Sequence, residues 1–334
     1  MSKQATLIVV LAASAGLACE TQRANGKPTS AGPGASPANT KLTAKAPKTA
    51  RAPALDAATL YSGALPKKTR LGFHAGALKV GSQRRTLKIY FPAKVAARPP
   101  LIIACHGTGG NAEDGVWATA ANEAADQHGA VVVSLQARKM KDGDWDNHSP
   151  GQVYFQTHPK TKLAQNQDLQ LVAAVIHAAK RAYGVDPTRV YTAGFSNGAF
   201  FAQLAALALP DQIAGFASAA GGLVRCSGTG SCTFRGTATT SCAALSKQSG
   251  FCSCSGAAKP IALPSAKATY KTAAYLAHSV RDDVVSSYYS CALAAELRKR
   301  GHPVKVALFA KADHGAPPHF MVDAFAFLDK HRLK

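Results

Sequence analysis

The stretch Val190-Tyr191-Thr192-Ala193-Gly194-Phe195-Ser196-Asn197-Gly198-Ala199-Phe200 constrains this chain more than any other. Small and β-branched residues lead into Gly-x-Ser-x-Gly, and an apolar run from Ala199 to Leu209 follows, stopped by Pro210. The pattern predicts a buried strand, a sharp turn carrying Ser196, then a helix. Such a turn strains the serine backbone, and Gly194 and Gly198 suit the close passage of strand and helix, where a Cβ would clash. Gly-x-Ser-x-Gly is common by chance. Its setting between a strand and a helix separates it from an ordinary glycine-rich turn with an incidental serine.

The rest of the chain supplies the same rhythm. Arg84 to Phe91 alternates and predicts an antiparallel strand. Pro100–Cys105 is a continuous apolar run, expected of a strand buried on both faces, and Ala130–Leu135 reads as the next buried strand. Further strands are expected over Ile213–Ala219, Ala273–Ala277 and Val304–Phe309. Helices are expected over Asn111–His128, from about Lys162 to Tyr183, and from about His319 to Leu328. Strands alternating with helices predict an α/β protein with a doubly wound, mostly parallel sheet. At 334 residues and 47% hydrophobic, the chain has material for one sizeable core.

The ends and one interior segment are different. Residues 1–18 read as a signal peptide: one charge, Lys3, then a short apolar run, Ala5 to Ala13. Gly16 and Ala18 suit cleavage before Cys19, and the stretch also approaches a bacterial lipobox with the leucine one place too close to the cysteine. Plain secretion and a lipid anchor at Cys19 both stay open; either makes the protein extracytoplasmic. Residues 19–60, rich in Ala, Pro and Lys, read as a disordered tether. Residues 61–334 remain as the catalytic domain, interrupted over 221–264 by a cysteine-rich insertion. Cys226, Cys232, Cys242, Cys252, Cys254 and Cys291 form a set of six for which disulfides are expected, with 15 connectivities. Whether this insertion is a flap near the site or a remote excursion stays open. Cys105, inside an apolar run, reads as an unpaired core thiol.

The formal charge is +21. Such a surface attracts anionic polymers or membranes, but no compact basic-aromatic motif points to nucleic acid, and none is expected as a partner.

A serine nucleophile needs a base for its proton and a carboxylate to orient that base. With the serine at an elbow, the acid and then the histidine follow it along the chain, each past a later strand. Asp282, in Val280-Arg281-Asp282-Asp283, and His314, followed by Gly315, meet that order. Asp283 reads as a surface neighbour, Asp313 as pointing away, and His278 as packing or loop structure. The backbone N–H of Asn197, beside the nucleophile, and that of Thr108, in His106-Gly107-Thr108-Gly109-Gly110, are the expected oxyanion donors. Trp145 reads as an aromatic wall for substrate or as a loop anchor, Trp117 as core, and Asp168 as a capping or surface residue. The glycine loop lacks a Gly-Lys-Ser/Thr ending, so a nucleotide is not implied. No metal and no organic cofactor are expected.

Together, His106-Gly107-Thr108-Gly109-Gly110, Asp186-Pro187-x-Arg189-Val190-Tyr191, Gly194-Phe195-Ser196-Asn197-Gly198, Asp282 and His314 resemble the α/β-hydrolase group of exported polyhydroxybutyrate depolymerases and feruloyl esterases. The resemblance runs from about Thr69 to the C-terminus, outside the cysteine-rich insertion. It implies an α/β-hydrolase fold and a serine esterase acting on a polymeric or small carboxylic ester, with Ser196, Asp282 and His314 as triad. Phe195 and Asp313 stand where tannase-type feruloyl esterases carry bridged cysteines, which excludes that subfamily. A peptidase on the same fold and a non-catalytic basic surface-binding lipoprotein are the alternatives.

Overall fold

The computed structural model describes residues 61–67, 71–140, 151–157, 163–222, 224–226, 241–243, 258–260, 270–310 and 313–334. The chain divides into Met1–Arg51 and Ala52–Lys334, and every described residue belongs to the second unit. The signal-like segment, the tether and Trp145 therefore lie outside the described residues.

In chain order the strands and helices are β1 (Tyr61–Ser62), β2 (Gly72–Val80), β3 (Gln83–Phe91), β4 (Leu101–Cys105), α1 (Ala112–Thr119), α2 (Ala121–His128), β5 (Val131–Leu135), β6 (Arg138–Lys139) and β7 (Val153–Tyr154). Then come α3 (Gln167–Tyr183), β8 (Val190–Phe195), α4 (Asn197–Ala208), β9 (Gly215–Ala219), β10 (Val224–Cys226), β11 (Ala258–Pro260), β12 (Ala273–Ser279), α5 (Tyr288–Lys299), β13 (Val304–Phe309) and α6 (Phe320–Leu328). Nine strands form one sheet in the order β1-β2-β3-β5-β4-β8-β9-β12-β13. The six strands from β5 to β13 run parallel, and β1, β2 and β3 pair antiparallel at the other edge. The expectation of a doubly wound, mostly parallel sheet is met.

Each face of the sheet has its own core. Leu169, Val172 and Ile176 of α3, Phe201 and Leu204 of α4, and Leu293 and Leu297 of α5 pack on one face. Val116 of α1, Ala121, Ala124 and Ala125 of α2, and Phe320, Ala324 and Phe325 of α6 pack on the other. The strands β4, β5, β8, β9 and β12 are therefore covered on both sides, which is why apolar and small residues dominate them. A parallel sheet sends every loop that leaves a strand's C-terminal end to the same edge. The loops after β4, β8, β12 and β13 carry Thr108, Ser196, Asp282 and His314.

Several expectations are corrected. The single helix expected over Asn111–His128 is two, because Ala120 adopts a left-handed φ of +53° that no helix continues through. Asn111 caps the first, its side chain accepting from the Glu113 and Asp114 N–H groups. Trp117 is not core but 56% exposed, since α1 turns that face to solvent. Asp168 is neither a cap nor a surface residue: Asn166 caps α3, and Asp168 is fully buried, ion-paired with Arg85 and accepting the Gln156 N–H. His302 is buried with Nδ1 on the Thr272 carbonyl. The strand β2 and the helix α5 had no reading in the sequence.

In the cysteine-rich stretch, β10 pairs antiparallel with β11. Cys242 is bridged to Cys291 of α5, which ties residues 241–243 to the parallel core. The pairing of Cys226, Cys232, Cys252 and Cys254 lies outside what is described. Cys105 is a free, buried thiol, and burial pushes its acidity down hard. Among the described residues, no helix is long and apolar enough to cross a membrane.

Candidate active site

Ser196 sits between β8 and α4 with φ +53° and ψ −123°, a left-handed backbone on a non-glycine residue. Its N–H donates to the Ala219 carbonyl at 3.0 Å, which anchors the turn to the neighbouring strand. A Cβ on Gly194 would fall inside the Gly198 carbonyl, and one on Gly198 inside the Cys105 and His106 carbonyls. Both glycines are thus required by close backbone passage, as the motif implied. The strained turn lifts the Ser196 side chain above the sheet edge.

His314 meets that side chain. Ser196 Oγ–H is placed to donate to His314 Nε2 at 3.0 Å. His314 Nδ1–H donates in turn to Asp282, 2.9 Å from Oδ2 and 3.0 Å from Oδ1. The His314 side chain is 20% exposed and that of Asp282 fully buried. Asp282 Oδ1 also accepts the N–H groups of Val284 at 3.0 Å and Val285 at 2.8 Å. Burial alone would push the Asp282 pKa up. Hydrogen bonds from His278, His314 and Val285 outweigh burial and hold the carboxyl well below the usual range. Asp283 is exposed, and Asp313 faces Arg281 at 3.8 Å on the surface. The structure therefore brings Ser196, His314 and Asp282 together and leaves both other aspartates outside.

The glycine loop after β4 lies against this chain of groups. A Cβ on Gly107 would sit 3.4 Å from Ser196 Cβ. His106, fully buried, donates from Nδ1 to the Gly107 carbonyl at 2.6 Å, and its Nε2 accepts the Ala137 N–H at 3.1 Å. Burial favours the neutral ring that this pattern requires. The Gly110 N–H also donates to the Gly107 carbonyl, at 3.2 Å. In a trans peptide the carbonyl and the next N–H point oppositely. Pinning the Gly107 carbonyl therefore aims the Thr108 N–H away from the loop, where it meets no partner among the described residues. The Asn197 N–H, first in α4, has no partner within its helix. The Asn197 side chain is buried and grips Phe155, accepting its N–H at 2.8 Å and donating to its carbonyl at 3.3 Å.

Sequence reasoning missed two groups here. Phe195 sets its ring against that of His314 in a tilted contact, 4.9 Å between centroids. His278 approaches Asp282 with Nε2 3.3 Å from Oδ2. The signal for His278 was its spacing, four residues before the acid at the end of a buried strand; its polar contacts had none. No group of three metal-ligating side chains occurs among the described residues.

Comparison with known proteins agrees with this architecture. A solved thermostable esterase superposes with a TM-score of 0.50 at 17% identity, covering 78% of this chain and 63% of its own, a likeness of fold. The chain is 28% identical over 165 residues to feruloyl esterase B of Neurospora crassa, covering 49% of this chain and 51% of that one. It is also 28% identical over 142 residues to poly(3-hydroxyalkanoate) depolymerase C of Paucimonas lemoignei, covering 41% and 31%. These relatives bear out the resemblance read from the motifs, and the chain spans about half or less of their length. The prolyl oligopeptidase family model matches residues 151–332, from before α3 to the C-terminal residues, and takes in the serine, the aspartate and the histidine. With more than half of the chain matched and an α/β-hydrolase sheet beneath the match, this protein belongs to the prolyl oligopeptidase family.

Proposed function

We propose that the protein is a serine carboxylic-ester hydrolase. The observation that carries this reading is His314, whose two ring nitrogens bridge Ser196 Oγ at 3.0 Å and the Asp282 carboxylate at 2.9 Å. Ser196 attacks the ester carbonyl while His314 Nε2 takes its proton. Asp282 holds the imidazole tautomer and balances the imidazolium. The N–H groups of Thr108 and Asn197 receive the oxyanion. The tetrahedral species collapses, His314 returns the proton to the leaving alcohol, and water activated by His314 releases the acid. Trp145 serves as an aromatic wall for the acyl group.

The substrate class is a feruloyl or acetyl polysaccharide ester or a hydroxyalkanoate polyester, supported by what the relatives are named for. Residues 1–18 act as an export signal, and the protein works outside the cytoplasm, released or held through Cys19. Intact mass of the mature chain distinguishes the two fates, because lipidation adds acyl mass to Cys19.

The test is labelling with a fluorophosphonate followed by peptide mapping, run beside turnover of feruloyl, acetyl and hydroxybutyrate esters. A single adduct on Ser196 is expected, and Ser196→Ala should lose both the adduct and roughly 10⁴-fold or more in turnover. Turnover that persists in Ser196→Ala overturns the nucleophile. The family name favours one second reading, a peptidase, and cleavage of peptide amides faster than any ester would establish it. Binding to polymer without adduct or turnover would instead mark a non-catalytic surface protein.

A further inference from the structure

The ring of His278 is fully buried at the end of β12, and each of its nitrogens faces oxygen. Nε2 lies 2.7 Å from the Val285 carbonyl and 3.3 Å from Asp282 Oδ2. A carbonyl and a carboxylate only accept, so Nε2 carries a proton. Nδ1 lies 2.8 Å from Ser290 Oγ, on α5. Ser290 has one hydroxyl proton, and its Oγ is 2.7 Å from the Gly221 carbonyl, which also only accepts. The hydroxyl proton therefore goes to Gly221, and Ser290 Oγ is left to accept from Nδ1–H. Both nitrogens donate, and an imidazole with two N–H groups is a cation.

A buried cation is tolerated only when paired. Asp282 supplies that charge, and among the described residues the ring has no other ion-pair partner. The groups that face it are Asp282 and Val285 from its own loop, Ser290 from α5, Gly221 from beyond β9 and, across the carboxylate, His314 from the loop after β13. Arg281, Asp283 and Asp313 are exposed. Asp282 thus stands between two histidines.

We propose that His278 is a doubly protonated positioning residue that shares Asp282 with His314 and so keeps His314 available as a base to lower pH. The inference rests on the catalytic reading of Ser196, His314 and Asp282. When His314 takes a proton it becomes a second cation on one carboxylate, and His278 opposes it. A nearby like charge disfavours the protonated ring, by roughly one pH unit for charges this closely linked.

The ring is tested directly by ¹⁵N-detected NMR of the histidines in the unmodified protein. Two protonated nitrogens on His278 near neutral pH are expected, and a bare Nδ1 overturns the proposal. The consequence is tested with His278→Gln, which keeps one donor and drops the charge, and with Ser290→Ala, which removes the acceptor that demands the second proton. In both, the acid limb of kcat/KM should move up by about half to one pH unit. A lower kcat with the limb unmoved would mean a merely structural role and overturn the tuning. Loss of fluorophosphonate labelling at Ser196 in the unmodified protein would instead defeat the catalytic reading, while the NMR result would still decide the charge of His278. If neither variant folds, the NMR measurement on the unmodified chain decides alone.

Discussion

At the end of β8 the chain turns through Ser196, and what holds the turn is space. Gly194 and Gly198 let backbone pass backbone where no Cβ fits, and the serine takes the strained φ of +53° because strand and helix leave no alternative. At the end of β12 the chain turns through Asp282, and what holds that loop is polar. Two backbone N–H groups, His314 and His278 converge on one buried carboxylate. The first loop is set by backbone sterics at five consecutive residues, against one another and against the end of β4. The second is set by four partners from three places in the chain. A steric constraint leaves its mark as glycine, whereas a hydrogen-bond network leaves residues that elsewhere would be ordinary surface.

Asp282→Asn breaks the second loop hardest. An amide accepts on one side only and cannot neutralise the imidazolium, so kcat should fall roughly 10⁴-fold while the elbow stays folded. Steady-state kinetics beside a melting curve checks both halves, and an unchanged kcat would remove Asp282 from the mechanism. Gly198→Ala breaks the first loop instead. The new methyl meets the Cys105 and His106 carbonyls, so the end of β4 and the first turn of α4 must separate. A cost above about 3 kcal/mol in urea unfolding is expected, and a variant as stable as the parent would show that the backbone passage is looser than described.

The smallest effect sharpens the contrast through pH. Asp282 is held low in the fold by its donors, so its contribution is present above the unfolded carboxyl value of about 3.9 and is lost as pH falls below it. His106 and His302 are lowered by burial, so the unfolded chain binds their protons first. Their contribution is complete above about pH 6.5 and is lost as pH falls through that value toward their folded ones. Unfolding free energy measured from about pH 7 to pH 3 should therefore decline in two stages, first at the histidines and then at the carboxyl. His302→Gln should flatten the first stage, and an unchanged first stage would place its origin elsewhere.

How much was legible follows the same line. The parallel core was readable because strands buried on both faces must be mostly apolar, and β4, β5 and β8 are, with only Ser134 and Thr192 as polar exceptions. The break at Ala120 was not readable: alanine favours helix, and only packing of α1 and α2 on one sheet face decides where the turn falls. Trp117 and Asp168 were each read the wrong way round. A tryptophan says nothing about which face a short helix turns to solvent. An aspartate near a helix start looks like a cap unless its partner, here Arg85 from β3, is known.

The sequence by itself determined the elbow, the sheet and the order of serine, acid and base, because each rests on local sterics or on the periodicity of burial. The tertiary structure decided everything that depends on which chain segments meet. It set Asp282 rather than Asp283 against His314, put the His106 ring on the Gly107 carbonyl, and placed the Phe195 ring against the base. It also turned His278 from packing into a partner of the acid, since the protons on that ring are dictated by Ser290, Gly221 and Val285, which no spacing along the chain brings together.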